Sequence, residues 1–231
     1  MADELQHQVW EACRALGTYG LGSGIGGHVS VRVPGERRYW TNALDRSFEE
    51  MTVDDIVLLD FEGNNLSGGR VVSPGIGFHP GIYELRADVG AIVHTHGYWV
   101  TAQAAFGRPP KPWHNLATYF HGRTAVSPDD TVEAIAPALG PDDVAIIIPW
   151  HGSITIGPSM EEAAALHVTF DYACQLDVTL AGSGAEPLSD DACVRIQALL
   201  GTADYLHNTW ELMRRKAERA VSEAGRPVVV G

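Results

Sequence analysis

Apolar residues in the first stretch of the chain recur at helical spacing. Leu5, Val9, Ala12, Cys13 and Leu16 share one face of a 3.6-residue period, so residues 4–20 are expected to form an amphipathic helix against a core. The period then changes. His28-Val29-Ser30-Val31-Arg32-Val33 alternates, as a half-buried strand does. Pro34-Gly35 turns the chain, Arg38-Tyr39-Trp40-Thr41-Asn42 returns, and Ile56-Val57-Leu58-Leu59-Asp60 adds a third strand ended by Glu62-Gly63-Asn64. The first third therefore reads as a β-meander.

Beyond it, residues 77–87 read as a helix, 89–96 as a buried strand and 98–106 as another helix. A Pro-rich loop, 108–112, opens an irregular stretch. Pro128-Asp129-Asp130 is expected to cap a helix reaching about Leu139. The β-branched run 144–148 is an interior strand. Residues 161–180 form a long helix with Glu161 and Glu162 in its first turn, where the helix dipole favours acids. Residues 190–200 and 203–220 are further helices, and the chain from Glu223 is expected to be loose. With no repeat and no long linker, residues 1–231 read as one domain of α/β (α+β) class. Its expected architecture is a mainly antiparallel sheet flanked by helical layers.

Composition narrows the function. The chain is 45% hydrophobic and 19% charged, which suits a folded globule and not a disordered one. Lys and Arg number 16 against 29 Asp and Glu, a net charge of −13. Such a surface repels phosphate backbones, so no nucleic-acid partner is expected. No apolar run reaches membrane-spanning length, and the acidic start Met1–Gln6 does not resemble an export signal. A cytoplasmic, membrane-free protein is expected. Cys13, Cys174 and Cys193, with no Cys-x-x-Cys, read as buried small hydrophobes in a reducing compartment. The glycine-rich segment 20–27 follows a helix and enters a strand, the reverse of the order a dinucleotide loop needs, so it reads as a tight turn.

The chemistry gathers on histidine. His94-Thr95-His96-Gly97 closes a buried strand, and side chains two apart on a strand share a face. Taken alone, the pair is half a metal site or two unrelated histidines. A second interior strand, Ile146-Ile147-Ile148-Pro149-Trp150-His151-Gly152, ends in the same His-Gly, which suggests convergence at one end of a sheet. Three neutral imidazoles leave coordination positions open, as catalytic metals require.

These segments, with Gly27-His28-Val29-Ser30-Val31-Arg32, residues 48–57, Asp60-Phe61-Glu62-Gly63, His79-Pro80-Gly81-Ile82-Tyr83, Arg86-Ala87-Asp88-Val89 and Gly157, resemble the class II aldolase/adducin family. The resemblance runs from the first helix to about Trp210. It implies one divalent ion (Zn, Mn, Fe or Co) on His94, His96 and His151. It also implies a homo-oligomer, tetramer or larger, with sites near subunit interfaces. The departures carry information too. The family's sugar-phosphate aldolases hold an acid/base Glu four residues before the helical histidine; here Gly75 stands there, in Ser73-Pro74-Gly75-Ile76-Gly77-Phe78-His79. Their glycine-loop Asn is His28, and their phosphate loop is poorly matched by Thr41-Asn42-Ala43-Leu44-Asp45, where Asp45 would repel phosphate.

Loss of the Glu removes a natural base for aldol chemistry, whereas decarboxylation abstracts no carbon-bound proton. The expected activity is therefore a metal-dependent carbon–carbon lyase, with decarboxylation of a hydroxylated aromatic or heteroaromatic carboxylate favoured. The substrate would be a small anion chelating the ion. His79 and His114 are the candidate catalytic residues; His28, Asn42, Ser73, Gly75 and Trp150 are the candidate substrate contacts. His167 and His207, inside helices, read as packed or solvated. Three other readings compete: an aldolase or epimerase on an unphosphorylated hydroxycarbonyl compound, a non-haem iron oxygenase, and a non-catalytic adducin-like interaction domain. The last has no need of three converging imidazoles.

Overall fold

The computed structural model describes residues 2–224. In chain order the elements are α1 (Ala2–Thr18), β1 (His28–Arg32), β2 (Arg38–Asn42), β3 (Ile56–Asp60), α2 (Phe78–Leu85), β4 (Ala91–Thr95) and α3 (Tyr98–Ala104). They continue with β5 (Thr124–Val126), α4 (Val132–Ala138), β6 (Ala145–Ile148), β7 (Gly152–Gly157), α5 (Met160–Leu180), α6 (Asp190–Leu200) and α7 (Tyr205–Ala224). The tail expected to loosen from Glu223 is helical through Ala224, and the rest of it lies outside the described residues.

The seven strands form one sheet in the order β3-β2-β1-β4-β7-β6-β5. Every neighbouring pair is antiparallel except β5 and β6. The mainly antiparallel expectation holds. Alternation along the strands splits the core in two. Val29, Val31, Ala91 and Val93 face Val9, Ala12 and Leu16 of α1, Ala163 and Ala164 of α5 and Met213 of α7. Ile92, Ile146, Ile148, Ile154 and Ile156 face the other way, onto Phe78, Ile82 and Tyr83 of α2 and Ile135 of α4. Helix α5 is apolar nearly all round because it is wedged between the sheet, α3 and α7. Helix α7 buries only a stripe, Trp210, Met213 and Ala217.

Two strands were not anticipated. β5 is three residues long, and β7, Gly-Ser-Ile-Thr-Ile-Gly, is buried at all six positions between β4 and β6. The helix expected from Pro128 begins instead at Val132. Thr131 is its cap, accepting from the Ala134 N–H, while the Asp129 carboxylate accepts from the Thr131 N–H and hydroxyl. Residues 128–130 are thus a turn ahead of the helix. Ser127 ties this turn to β6 through its N–H to the Ile147 carbonyl.

Cys13, Cys174 and Cys193 are free and buried, as expected. Among the described residues no helix is long and apolar enough to cross a membrane. The feature that positions the site is the antiparallel β7 between β4 and β6, which makes these two run the same way and end at the same end of the sheet.

Candidate metal centre

His94 is buried within β4, His96 follows the strand, and His151 sits in the turn of the β6–β7 hairpin, three residues past the strand end rather than on it. One nitrogen of each ring lies within 4.8 Å of the others, and His94 Nε2 is 2.9 Å from His96 Nε2. The hairpin turn is strained. Trp150 has φ 62°, a left-handed conformation that costs a bulky residue about 1–2 kcal/mol, and its indole is 82% exposed. Gly152 lets the hairpin close on β4, since a Cβ there would stand 2.4 Å from the Thr95 carbonyl oxygen.

Each ring has an outward partner on Nδ1. His94 Nδ1 meets the Ser153 carbonyl at 2.9 Å, so it is the protonated nitrogen. His96 Nδ1 faces Ser23 Oγ at 3.3 Å, and His151 Nδ1 faces the Asp130 carboxylate at 3.9 Å. Outward partners of this kind orient metal-bound imidazoles and set their tautomer. If His96, like His94, carries its proton on Nδ1, the two Nε2 lone pairs face each other at 2.9 Å, an arrangement that a cation between them relieves. A proton is a poor cation for this place. Burial, then the neighbouring imidazoles His28 and His96, hold His94 well below the usual histidine range, and burial followed by His151 lowers His96. The donor set fits a divalent ion with open positions, and histidine-only ligation suits zinc, manganese, iron or cobalt.

Beside the cluster stands a wall with no side chain at its centre. A Cβ placed on Gly75 would lie 3.5 Å from His28 Nε2, 3.5 Å from Asp130 Oδ2 and 3.6 Å from Ser73 Oγ. The expectation that Gly75 leaves the site free of carboxylate is therefore corrected: Asp130 reaches it from the turn before α4. Sequence reasoning missed this residue because Pro-Asp-Asp reads equally well as a helix cap. Ser73 caps a short 3-10 turn (Pro74–Gly77), its Oγ accepting from the Gly75 N–H.

His28 is buried in β1, its ring tilted against that of His94 with centroids 4.7 Å apart. His79 lies directly behind it on α2, with no exposed surface and both ring nitrogens engaged: Nε2 with His28 Nδ1 at 2.7 Å and Nδ1 with Ser30 Oγ at 2.6 Å. His79 thus has no nitrogen left for a substrate, whereas His28 keeps its Nε2 free beside Gly75. Asn42 is likewise committed to backbone. Its side chain accepts from the Val29 N–H and donates to the Gly27 and Ala43 carbonyls, which shapes the glycine loop. His114 stands apart from the cluster, edge-on to Tyr172 of α5 at 5.0 Å. Ser23, whose hydroxyl braces His96, was another residue hidden from sequence reasoning.

Comparison with known proteins agrees with this geometry. Residues 7–178 match the model of the class II aldolase and adducin N-terminal domain. The chain is 32% identical over 170 residues to 5-methylthioribulose-1-phosphate/5-deoxyribulose-1-phosphate aldolase of Rhodospirillum rubrum, covering 71% of this chain and 76% of that protein. It is 28% identical to decarboxylase NovR of Streptomyces niveus, over 71% of this chain and 64% of that one. The solved structure of L-fuculose 1-phosphate aldolase from Glaciozyma antarctica superposes with a TM-score of 0.88 at 26% identity, covering 97% of this chain and 92% of that one. With the sheet, the histidine cluster and the family match in agreement, the chain belongs to the class II aldolase and adducin family.

Proposed function

We propose that the protein is a divalent-metal-dependent carbon–carbon lyase for a small, unphosphorylated anion bearing a hydroxyl next to a carbonyl or carboxylate. The observation that carries the reading is the open wall at Gly75, flanked by His28 and Asp130 and set beside three inward-facing imidazoles. The segment where a phosphate loop would be expected supports an unphosphorylated substrate. The Thr41 hydroxyl donates to the Val29 carbonyl, Asn42 is committed to backbone, and Asp45 is paired with Arg70.

An ion on the three imidazoles would draw charge from the substrate's chelating oxygens and stabilise the negative charge that develops as the bond breaks. Asp130 then accepts the hydroxyl proton. The hydroxyl that loses this proton is one on the carbon β to a carbonyl. Its oxygen keeps the O–H pair and forms a new carbonyl, the bond between the α and β carbons breaks, and that bond's pair passes through the α carbon to the first carbonyl, which takes up the charge on its oxygen. His28 contacts the substrate oxygen opposite Asp130. Asp130 restores the base that position 75 lacks, so aldol-type cleavage becomes the first reading. Decarboxylation of a hydroxylated aromatic acid stands second, supported by the exposed Trp150 indole beside His151, which offers a flat apolar surface. The exposed Tyr98, Trp150 and Tyr172 suit the expected assembly into a homo-oligomer.

The test is a panel of hydroxycarbonyl compounds and hydroxylated acids offered to protein reloaded with zinc, manganese, iron or cobalt. Carbonyl product formed without oxygen, and lost on chelation, is expected. Carbon dioxide released from an aromatic acid would select the second reading. Oxygen uptake would overturn both in favour of an oxygenase.

A further inference from the structure

Behind the pocket runs a chain of short, buried hydrogen bonds. Tyr83 Oη lies 2.6 Å from Ser30 Oγ, Ser30 Oγ 2.6 Å from His79 Nδ1, and His79 Nε2 2.7 Å from His28 Nδ1. Four residues from β1 and α2 are linked in line, and all are essentially buried. The far end is blind: the Tyr83 hydroxyl has Ser30 as its one hydrogen-bond partner among the described residues. The near end is open, since His28 Nε2 has no protein partner among the described residues and abuts the space over Gly75.

Such a chain can be polarised in two ways. If His28 carried its proton on Nδ1, every bond would run away from the pocket, and the Tyr83 O–H would be left as a buried donor with no acceptor. A buried donor without an acceptor bears its full desolvation penalty. In the opposite polarity the Tyr83 O–H donates to Ser30, Ser30 donates to His79 Nδ1, and His79 Nε2–H donates to His28 Nδ1. Every atom is satisfied, and the proton of His28 is on Nε2, pointing into the pocket.

We infer that Tyr83, Ser30 and His79 are positioning residues that lock His28 in its Nε2–H tautomer, making it a fixed hydrogen-bond donor to an anionic oxygen of the substrate. The chain is an orienting device and not a proton conduit. Moving one proton out through His28 would leave a phenolate at the blind end, and burial pushes the Tyr83 hydroxyl far above the usual phenol range. Donation and proton transfer are thus divided between the two sides of the Gly75 wall, with His28 giving a hydrogen bond and Asp130 handling the proton. The assignment of Asp130 rests on the lyase reading above; the tautomer of His28 does not.

The experiment is nitrogen-15 NMR of the histidine rings in the zinc-loaded protein, paired with calorimetric binding of glycolate as a small hydroxycarboxylate probe. In the unaltered protein the His28 signal should show protonated Nε2 and unprotonated Nδ1. In Ser30→Ala, which leaves His79 Nδ1 unpaired in either polarity, the Nδ1–H form of His28 should appear and glycolate should bind about fivefold to tenfold more weakly, the loss of one oriented hydrogen bond. His28→Asn, which keeps an N–H donor, should bind glycolate more tightly than His28→Phe. A His28 proton on Nδ1 in the unaltered protein would overturn the inference without any variant. So would a Ser30→Ala protein with unchanged tautomer and unchanged glycolate affinity. A correct tautomer in a protein that cleaves none of the panel would sink the lyase reading and leave the donor assignment standing.

Discussion

His79 and His167 are both fully buried, on opposite faces of one sheet, and each has both ring nitrogens satisfied. His167 of α5 bonds Thr95 Oγ1 at 2.7 Å and Thr155 Oγ1 at 2.9 Å, and Thr155 passes its proton to the Ala163 carbonyl of the same helix. That circuit closes on the backbone and pins α5 to β4 and β7. The His79 chain runs instead from a blind tyrosine to an open imidazole over Gly75. Burial and hydrogen bonding are alike in the two regions. What separates a structural histidine from a functional one is where its chain of bonds ends.

The largest effect should come from the cluster that both chains adjoin. His96→Ala removes an inward imidazole, and metal analysis should find bound ion at background with turnover lost, which sets the floor for other variants. Asp130→Asn keeps the shape of the side chain and removes its charge. It should lower kcat about 10- to 100-fold while the metal content stays closer to normal than in His96→Ala; an unchanged kcat would remove Asp130 from the chemistry. His167→Gln should behave in the opposite way, costing about 1–3 kcal/mol in denaturant unfolding with kcat unchanged in the folded protein.

The same residue should shape acid sensitivity. Burial pushes the His167 imidazole down to about 3, from an ordinary value of 6.5. Between those values the unfolded chain binds the extra proton and the folded chain does not, so stability should fall as pH drops from about 6.5 toward about 3. Replacing His167 with Gln should flatten that slope. The smallest effect concerns Trp150. Trp150→Asn relieves the left-handed turn and should stabilise the fold by about 1 kcal/mol, read from the unfolding midpoint. A raised KM for aromatic acids alone would support the indole as a platform for such substrates.

Local patterns made the cluster legible. A period of two placed His94 and His96 on one face, and a His-Gly after a second apolar run supplied His151. The glycines bracketing β7 hid a strand whose identity comes from the neighbours on both its sides. Asp130 was hidden because a Pro-Asp-Asp turn carries no sign of what it faces; its place follows from Ser127 binding β6 and from β6 leading to His151. Ser30 was visible as one polar position of an alternating strand, but its link to Tyr83 and His79 depends on how α2 packs on the sheet. The same is true of His79, whose helical site was readable and whose depth was not.

Two of the three ligand candidates belong to β4 and its end, while the third comes from a hairpin reached only after α3, β5, α4 and β6. An ion gripping all of them acts as a fastener across a long loop of chain, absent from the denatured ensemble. Heat tolerance then becomes a gauge of the surroundings. The melting temperature should climb with free zinc until the clasp is full, and fall back when a chelator opens it.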